Sequence, residues 1–499
     1  MGFTKVSQAK TPILDALRHY VTHPHAPFYT PGHKRGVGIS RPLADLFGSL
    51  VFQADLSELP DLDNLYAPDG TIREAQDLAA QAFGADRTWF LVNGSTVGVM
   101  AAILATCTSG EKIILPRNIH SSAISGLILS GAMPIFVNPE YDPDWDMVNS
   151  VTPMSIQKAL TQHPDAKAVM MVYPTYQGVC GDVEAIAQLC HDSHIPLIVD
   201  EAHGPHFHFH PDLPPSALSC GADVAIQSSH KVLGAMTQAS MLHLKGARIE
   251  PEAIRRSLQL LQSTSPSYLL LASLDAARQQ MALQGESLIS QTLQLAERAQ
   301  QSLKTIPQLK VLETKISKGF LALDPTRLNV KVTSCGLTGY QADRLLHDRH
   351  GVIAELPSAQ SLTFIISLGN TQADIDQLVQ GLAQICPTQG THECSSDPTV
   401  LQRWQEECLF VHPSSFLISP TLSPRQAFFS QTETLPLEQT DERICAEIIC
   451  PYPPGIPAIM PGEMINMSAL DYLQQVLSLG GTISGCSDPT LKTLKVVRQ

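Results

Sequence analysis

From about residue 71 to 304, short apolar runs alternate with stretches of helical periodicity. The apolar runs at 89–92, 113–115, 134–137, 168–173, 196–200, 224–227 and 238–244 read as strands. Between them, 71–83, 97–106, 121–130, 153–162, 183–194 and a long stretch ending near 303 carry apolar residues at helical spacing. Strand and helix in alternation demand a mainly parallel sheet with helices on both faces, an α/β domain. From 306 the rhythm changes. Short strands at 309–312, 328–332 and 362–367 are interleaved with helices at 339–348 and 371–385, which predicts a smaller α+β unit.

The two ends of the chain have weaker patterns. A short amphipathic helix is expected at 12–22, followed by the helix-breaking His23-Pro24-His25-Ala26-Pro27 and Pro31-Gly32. Residues 387–400, rich in Pro, Thr, Gly and Ser, read as a linker. The Pro-rich segment 450–457 excludes regular helix, and the tail after Thr482 reads as poorly ordered. The resulting units are an arm (1–70), a large domain (71–305), a small domain (306–388) and a C-terminal domain (389–499).

Two of the apolar runs end abruptly in chemistry. One leads into Asp200-Glu201-Ala202-His203, the other into Ser228-Ser229-His230-Lys231. Open α/β sheets keep their ligand crevices at strand carboxyl ends, so an acid and a lysine are expected to face one pocket. A third strand end, Asn93-Gly94-Ser95-Thr96, opens a helix. Free N–H groups and the helix dipole there suit a phosphate, with Ser95 and Thr96 adding hydroxyl donors, although Ser and Thr also serve as ordinary N-caps. His120 stands just past a fourth strand end.

Composition narrows the classes. At 499 residues several units are expected, and 43% hydrophobic content permits large cores. A net charge of −14 argues against nucleic acid or an anionic membrane as partner. No run of 18 apolar residues exists to span a bilayer, and the N-terminus has no apolar signal core. Eleven scattered cysteines without a CxxC pair read as reduced thiols of a cytoplasmic protein.

The Asp200 and Lys231 segments resemble the pyridoxal-phosphate site of the aspartate-aminotransferase-like superfamily. More narrowly, Tyr29-Thr30-Pro31-Gly32-His33-Lys34, Ser265-Pro266-Ser267-Tyr268, Ser423-Pro424-Arg425-Gln426-Ala427-Phe428-Phe429 and Pro451-Tyr452-Pro453-Pro454-Gly455-Ile456-Pro457 are similar, in order, to blocks of the ornithine/lysine/arginine decarboxylase family. The match is to its short members, which lack an N-terminal wing domain. The resemblance implies pyridoxal 5'-phosphate held through Lys231, and Asp200 on the pyridinium nitrogen keeping the ring an electron sink. It implies His120 and Ala202 against the ring, His203 near the phenolate oxygen or the substrate carboxylate, and Ser95, Thr96, Ser228 and His230 near the phosphate. It also implies a homodimer with shared sites, polyamine metabolism, and decarboxylation of arginine, lysine or ornithine. Candidates for the substrate's distal cation are Asp55, Glu58, Asp61 and Asp63 of the arm, and Glu463.

Rival readings fare worse. Asp200-Glu201-Ala202-His203 spells a helicase box, but no Gly-Lys dipeptide exists for a phosphate loop. His206, His208 and His210 alternate as ligands would, yet no acid or Cys completes the set, and Asp142, Asp144 and Asp146 lack the Gly and distant Glu of a calcium loop, so no metal is expected. Another fold-type-I enzyme such as an aminotransferase, or an inactive regulatory homologue, stays open.

Overall fold

The computed structural model describes residues 7–386, 417–418, 420–452 and 454–498; the expected linker at 387–400 lies outside them. The large domain is built on β1 (Arg87–Leu91), β2 (Lys112–Pro116), β3 (Met133–Val137), β4 (Ala168–Val172), β5 (Leu197–Asp200), β6 (Val224–Gln227) and β7 (Ser240–Leu244). Their order across the sheet is β1-β7-β6-β5-β4-β2-β3, with Leu417–Ile418 added outside β3. β3, β2, β4, β5 and β6 are parallel neighbours. β7 runs against both β6 and β1, and Leu417–Ile418 runs against β3.

Strand alternation sorts the core into two layers. Ile114, Ile135, Val169, Met171, Val199, Ala225 and Met241 join one apolar cluster. Their neighbours Ile113, Phe136, Met170, Ile198, Ile226 and Leu242 join the other. A sheet buried on both faces needs continuous apolar strands, which is why these segments lack the polar alternation of a half-exposed strand. Each such side chain contributes about 1.5–3 kcal/mol when fully buried. The helix Gly94–Thr106 lies so close to the sheet that a Cβ on Gly98 would stand 2.7 Å from Leu91 Cδ1 and 2.8 Å from Ile226 Cγ2. Only glycine permits that approach.

The arm begins with the helix Pro12–Thr22, whose Ile13 and Leu17 are buried in the large-domain cluster. Its entry is tied to the long helix Tyr268–Lys304: Ile13 N–H donates to Asp275 Oδ2 at 3.0 Å, and Arg278 donates to Gln8 O and Lys10 O, each at 2.7 Å.

The small domain pairs β8 (Lys310–Val311), β9 (Arg327–Lys331), β10 (Leu356–Pro357) and β11 (Ser361–Ile365) in the order β8-β9-β11-β10, antiparallel throughout. Its helices Gly339–His350 and Gln372–Ile385 each start at a capping box, Thr338 with Gln341 and Thr371 with Asp374. Cys335 and Cys386 form a disulfide across 51 residues, which corrects the expectation of reduced thiols for this pair. Spacing alone does not reveal that the turn before one helix meets the end of the other.

In the C-terminal part, Ser423 and Gln426 form a capping box on the helix Pro424–Phe429. Arg425 donates to the carbonyls of Ile128 (3.1 Å) and Leu129 (2.8 Å), satisfying the end of the helix Ser121–Ser130. The tail after Thr482 is ordered, contrary to expectation. Thr482–Ser484 pairs with Cys450–Tyr452, and Thr493–Val497 pairs with Thr432–Pro436. Leu494 and Val496 alternate into a satellite core with Leu437 and Ile449, a period-2 signal overlooked in the sequence. Among the described residues no helix is long and apolar enough to cross a membrane.

Candidate active site

A cavity of about 840 Å³ opens at the carboxyl ends of β5 and β6. Its floor carries Ser95, Thr96, His120, Asp200, Ala202, His203, Ser228, His230 and Lys231, every position singled out from the strand ends. The small domain contributes Tyr340, Glu355 and Ser358, and the C-terminal part contributes Pro451, Tyr452 and Ile456.

Lys231 is held by a defined proton arrangement. Its Nζ lies 2.9 Å from His203 Nε2. Arg327 Nη2 donates to His203 Nδ1 at 3.2 Å and to the His203 carbonyl at 3.0 Å. Guanidinium is only a donor, so Nδ1 is an acceptor and the imidazole proton sits on Nε2, facing the lysine amine. The electrostatics agree. Burial, with Arg327 adding to it and Asp200 opposing, pushes the Lys231 pKa down. Burial, then the neighbouring Lys231 and Arg327, holds His203 well below the usual histidine range. Arg327, fully buried, escaped the sequence reading; it sits at the start of β9, where nothing local marks it.

Asp200 is buried at the tip of β5 and accepts the Ala202 N–H at 3.2 Å. Burial raises its pKa, against the pull of His120 and Lys231. A cationic ring nitrogen beside it would relieve that penalty. His120 caps the helix Ser121–Ser130: the Ser122 N–H donates to Nδ1 at 3.1 Å. The ring proton is therefore on Nε2, and burial lowers its pKa. Gly455 of the Pro-rich segment packs on that ring, and its carbonyl accepts the Ser121 N–H at 3.1 Å. His230 Nδ1 faces the Ala239 carbonyl at 3.0 Å, so Nδ1 carries the proton and Nε2 of the neutral ring is an acceptor.

The expected phosphate cup falls at the N-terminus of the helix Gly94–Thr106. Its N-cap, Asn93, makes no side-chain cap. Ser228 Oγ reaches Ser95 Oγ at 2.8 Å, joining the two strand ends in one polar cradle. An uncapped helix N-terminus flanked by hydroxyls, a buried acid and a lysine whose pKa burial lowers together fit a phosphorylated pyridine aldehyde.

Within the chain, none of the five acids suggested for the distal cation lines this cavity. Asp55 meets His33 at 3.2 Å, and Tyr20 OH donates to Asp61 at 3.3 Å. Glu58 accepts from Asn64 Nδ2 (2.6 Å) and Leu65 N (3.2 Å). Asp63 accepts five backbone N–H groups around the start of the helix Thr71–Phe83, from Asn64, Asp69, Gly70, Ile72 and Arg73. Glu463 pairs with buried Arg117 at 3.0 Å. Acids in a turn-rich stretch serve backbone amides first. The acids that do face the cavity beside Asp200 are Asp146 and Glu355. Glu355 accepts a hydrogen bond from Tyr176 OH and acts on the charge of Lys231. Its context, Ala354-Glu355-Leu356-Pro357, carries no recognisable signal. The three alternating histidines diverge: His206 faces Asp324 at 3.2 Å, His210 faces Ser290 at 2.9 Å, and His208 lies against Gly84. Among the described residues no group of three or more His, Cys, Asp or Glu is placed to hold a metal.

Comparison with known proteins places this arrangement. The model of the Orn/Lys/Arg decarboxylase major domain matches residues 11–320, and that of the C-terminal domain matches 404–488. The chain is 38% identical over 496 residues to the arginine decarboxylase of Bacillus subtilis (strain 168), covering 99% of each. It is 26% identical to the lysine decarboxylase LdcA of Pseudomonas aeruginosa, covering 93% of this chain and 75% of the relative. The solved structure of lysine decarboxylase A from Pseudomonas aeruginosa shares the fold, with a TM-score of 0.82 at 23% identity over 98% of this chain and 80% of that one. The chain belongs to the Orn/Lys/Arg decarboxylase family.

Proposed function

We propose that this protein is a pyridoxal-phosphate-dependent decarboxylase of a basic amino acid, with arginine as the preferred substrate and an amine of polyamine metabolism as product. The observation that carries the reading is Lys231 at the bottom of a cavity shared with Asp200 and Glu355, where burial pushes its pKa down. The identity to an arginine decarboxylase along the whole chain supports arginine.

In this reading Lys231 holds the cofactor aldehyde, Asp200 its ring nitrogen, His120 and Ala202 its faces, and Ser95, Thr96, Ser228 and the amides of the helix Gly94–Thr106 its phosphate. Bound pyridoxal phosphate supplies an electron sink for the pair left on Cα when CO2 departs. The chain's own residues orient and protonate. His203, fixed by Arg327, orients the Lys231 nitrogen. Lys231 also returns a proton to Cα, a task for which His230 is poorly set because its proton already faces the Ala239 carbonyl. Glu355 offsets the distal guanidinium, and Tyr452 and Ile456 help exclude water.

The exposed apolar side chains of the arm, Leu46, Phe47 and Leu50, suit coverage by a second copy, and we read the enzyme as a cytoplasmic homodimer. The four units are taken to divide at about residues 70, 305 and 388. The test is a panel of arginine, lysine and ornithine, scoring CO2 release against keto-acid formation. Turnover to CO2 and amine, fastest on arginine, is expected; keto-acid formation sinks the reading.

A further inference from the structure

The acids that line the cavity do not all act on Lys231. The charged groups that shift Lys231 are Asp200, Arg327 and Glu355. Asp146, on the same cavity wall, answers instead to Tyr141 and Lys331. Asp146 stands in the turn of the ribbon formed by Tyr141–Asp142 and Met147–Val148. Its Oδ1 accepts from Tyr141 OH at 2.6 Å. Its Oδ2 is buried and has no hydrogen-bond partner among the described residues. Lys331, the nearby cation, donates to the Asp144 carbonyl at 2.6 Å and acts on Asp146 only through its charge. A buried carboxylate oxygen without a partner is costly, and burial pushes the Asp146 pKa up to about 7.

Tyr141 of the ribbon and Tyr340 of the small domain stand by this acid, and Val148 with Tyr472 and Val476 of the helix Met467–Ser478 line the same cavity. Aromatic rings beside a carboxylate suit an alkylammonium, which gains cation–π attraction together with a counter-charge. The valines offer apolar surface to methylenes.

We propose that this part of the cavity is a second cation subsite, in which Asp146 receives the far ammonium of a linear aliphatic polyamine whose near ammonium sits at Glu355. A polyamine so bound occupies the substrate's place and inhibits competitively, so amines of the product class restrain the enzyme. The inference goes beyond decarboxylation and rests on that reading only for the cation at Glu355.

The experiment uses the holoenzyme with spermidine as probe. Spermidine affinity is measured by calorimetry without arginine, and its inhibition constant by initial rates with arginine. Wild type and Asp146→Asn are compared. Asparagine keeps the acceptor for Tyr141 and tolerates the Asp146 φ of +50°. The expected result is spermidine binding weakened about tenfold or more in Asp146→Asn, with KM for arginine changed less than about twofold. Equal spermidine affinity in both proteins, or no binding to wild type, overturns the proposal. An equal rise in KM for arginine also overturns it, by assigning Asp146 to the substrate. Absence of arginine turnover in wild type, by contrast, counts against the decarboxylase reading, and the calorimetric comparison still decides the subsite.

Discussion

The floor and the far wall of the cavity are built by different means. The floor comes from strand tips of one sheet, so each group is placed by a short segment whose pattern is local. Asp200 and Lys231 each follow an apolar run that must stop where the sheet stops. The far wall comes from a ribbon, a small-domain loop and a C-terminal helix that meet only after the whole chain has folded. In the proposed reading the floor holds the cofactor, and the wall meets the rest of the bound amine.

That contrast can be broken in steps. Lys231→Ala removes the nucleophilic amine and should lower kcat roughly 10³-fold or more, with loss of the borohydride-trapped adduct at this position. A trapped adduct at another lysine would overturn the floor entirely. Asp200→Asn removes the charge at the ring nitrogen while keeping size, and kcat should fall about 10²-fold or more with cofactor still bound, as absorbance would show. Glu355→Gln tests the wall. KM for arginine should rise about 10- to 100-fold with a smaller change in kcat. A kcat-only effect would move Glu355 from recognition to catalysis.

The smallest effect concerns the scaffold beneath the floor. His243 on β7 is buried between Thr88 (2.7 Å) and Gln227 (3.1 Å), and burial pushes its pKa down to about 3. Between pH 6.5 and 3 the unfolded chain binds a proton there that the folded chain refuses, so stability falls as pH falls. From pH 6.5 to 5.5 this one group should cost about 1 kcal/mol, read as a shift in denaturant midpoint that His243→Gln reduces.

What was legible follows the same division. The helices at 12–22 and 71–83 show in the sequence through one apolar stripe at helical spacing, and the sheet strands because burial on two faces imposes apolar runs. Ser423 and Gln426 stood in the sequence only as part of a family block, and the structure adds that they form a capping box. Glu355 and Arg327 do not show, since each owes its place to partners far away in the chain: Glu355 to Tyr176, Arg327 to His203. The acidic run from Asp55 to Asp63 drew attention by density, but density marked turn and helix-start chemistry rather than a ligand. The tail failed for a different cause. Its alternation is real but only five residues long, and it needs Thr432–Pro436 beside it to become a strand.

Arg117, at the exit of β2, donates to the Pro457 and Ala458 carbonyls at 2.9 Å each and pairs with Glu463. A guanidinium sealed in that position has no water to fall back on. Cutting the polypeptide after its small domain would remove all three of these partners at once and open the wall that Arg117 holds in place. The sequence downstream works as a keystone, and trimming this catalyst to a smaller one would have to begin by replacing that arginine.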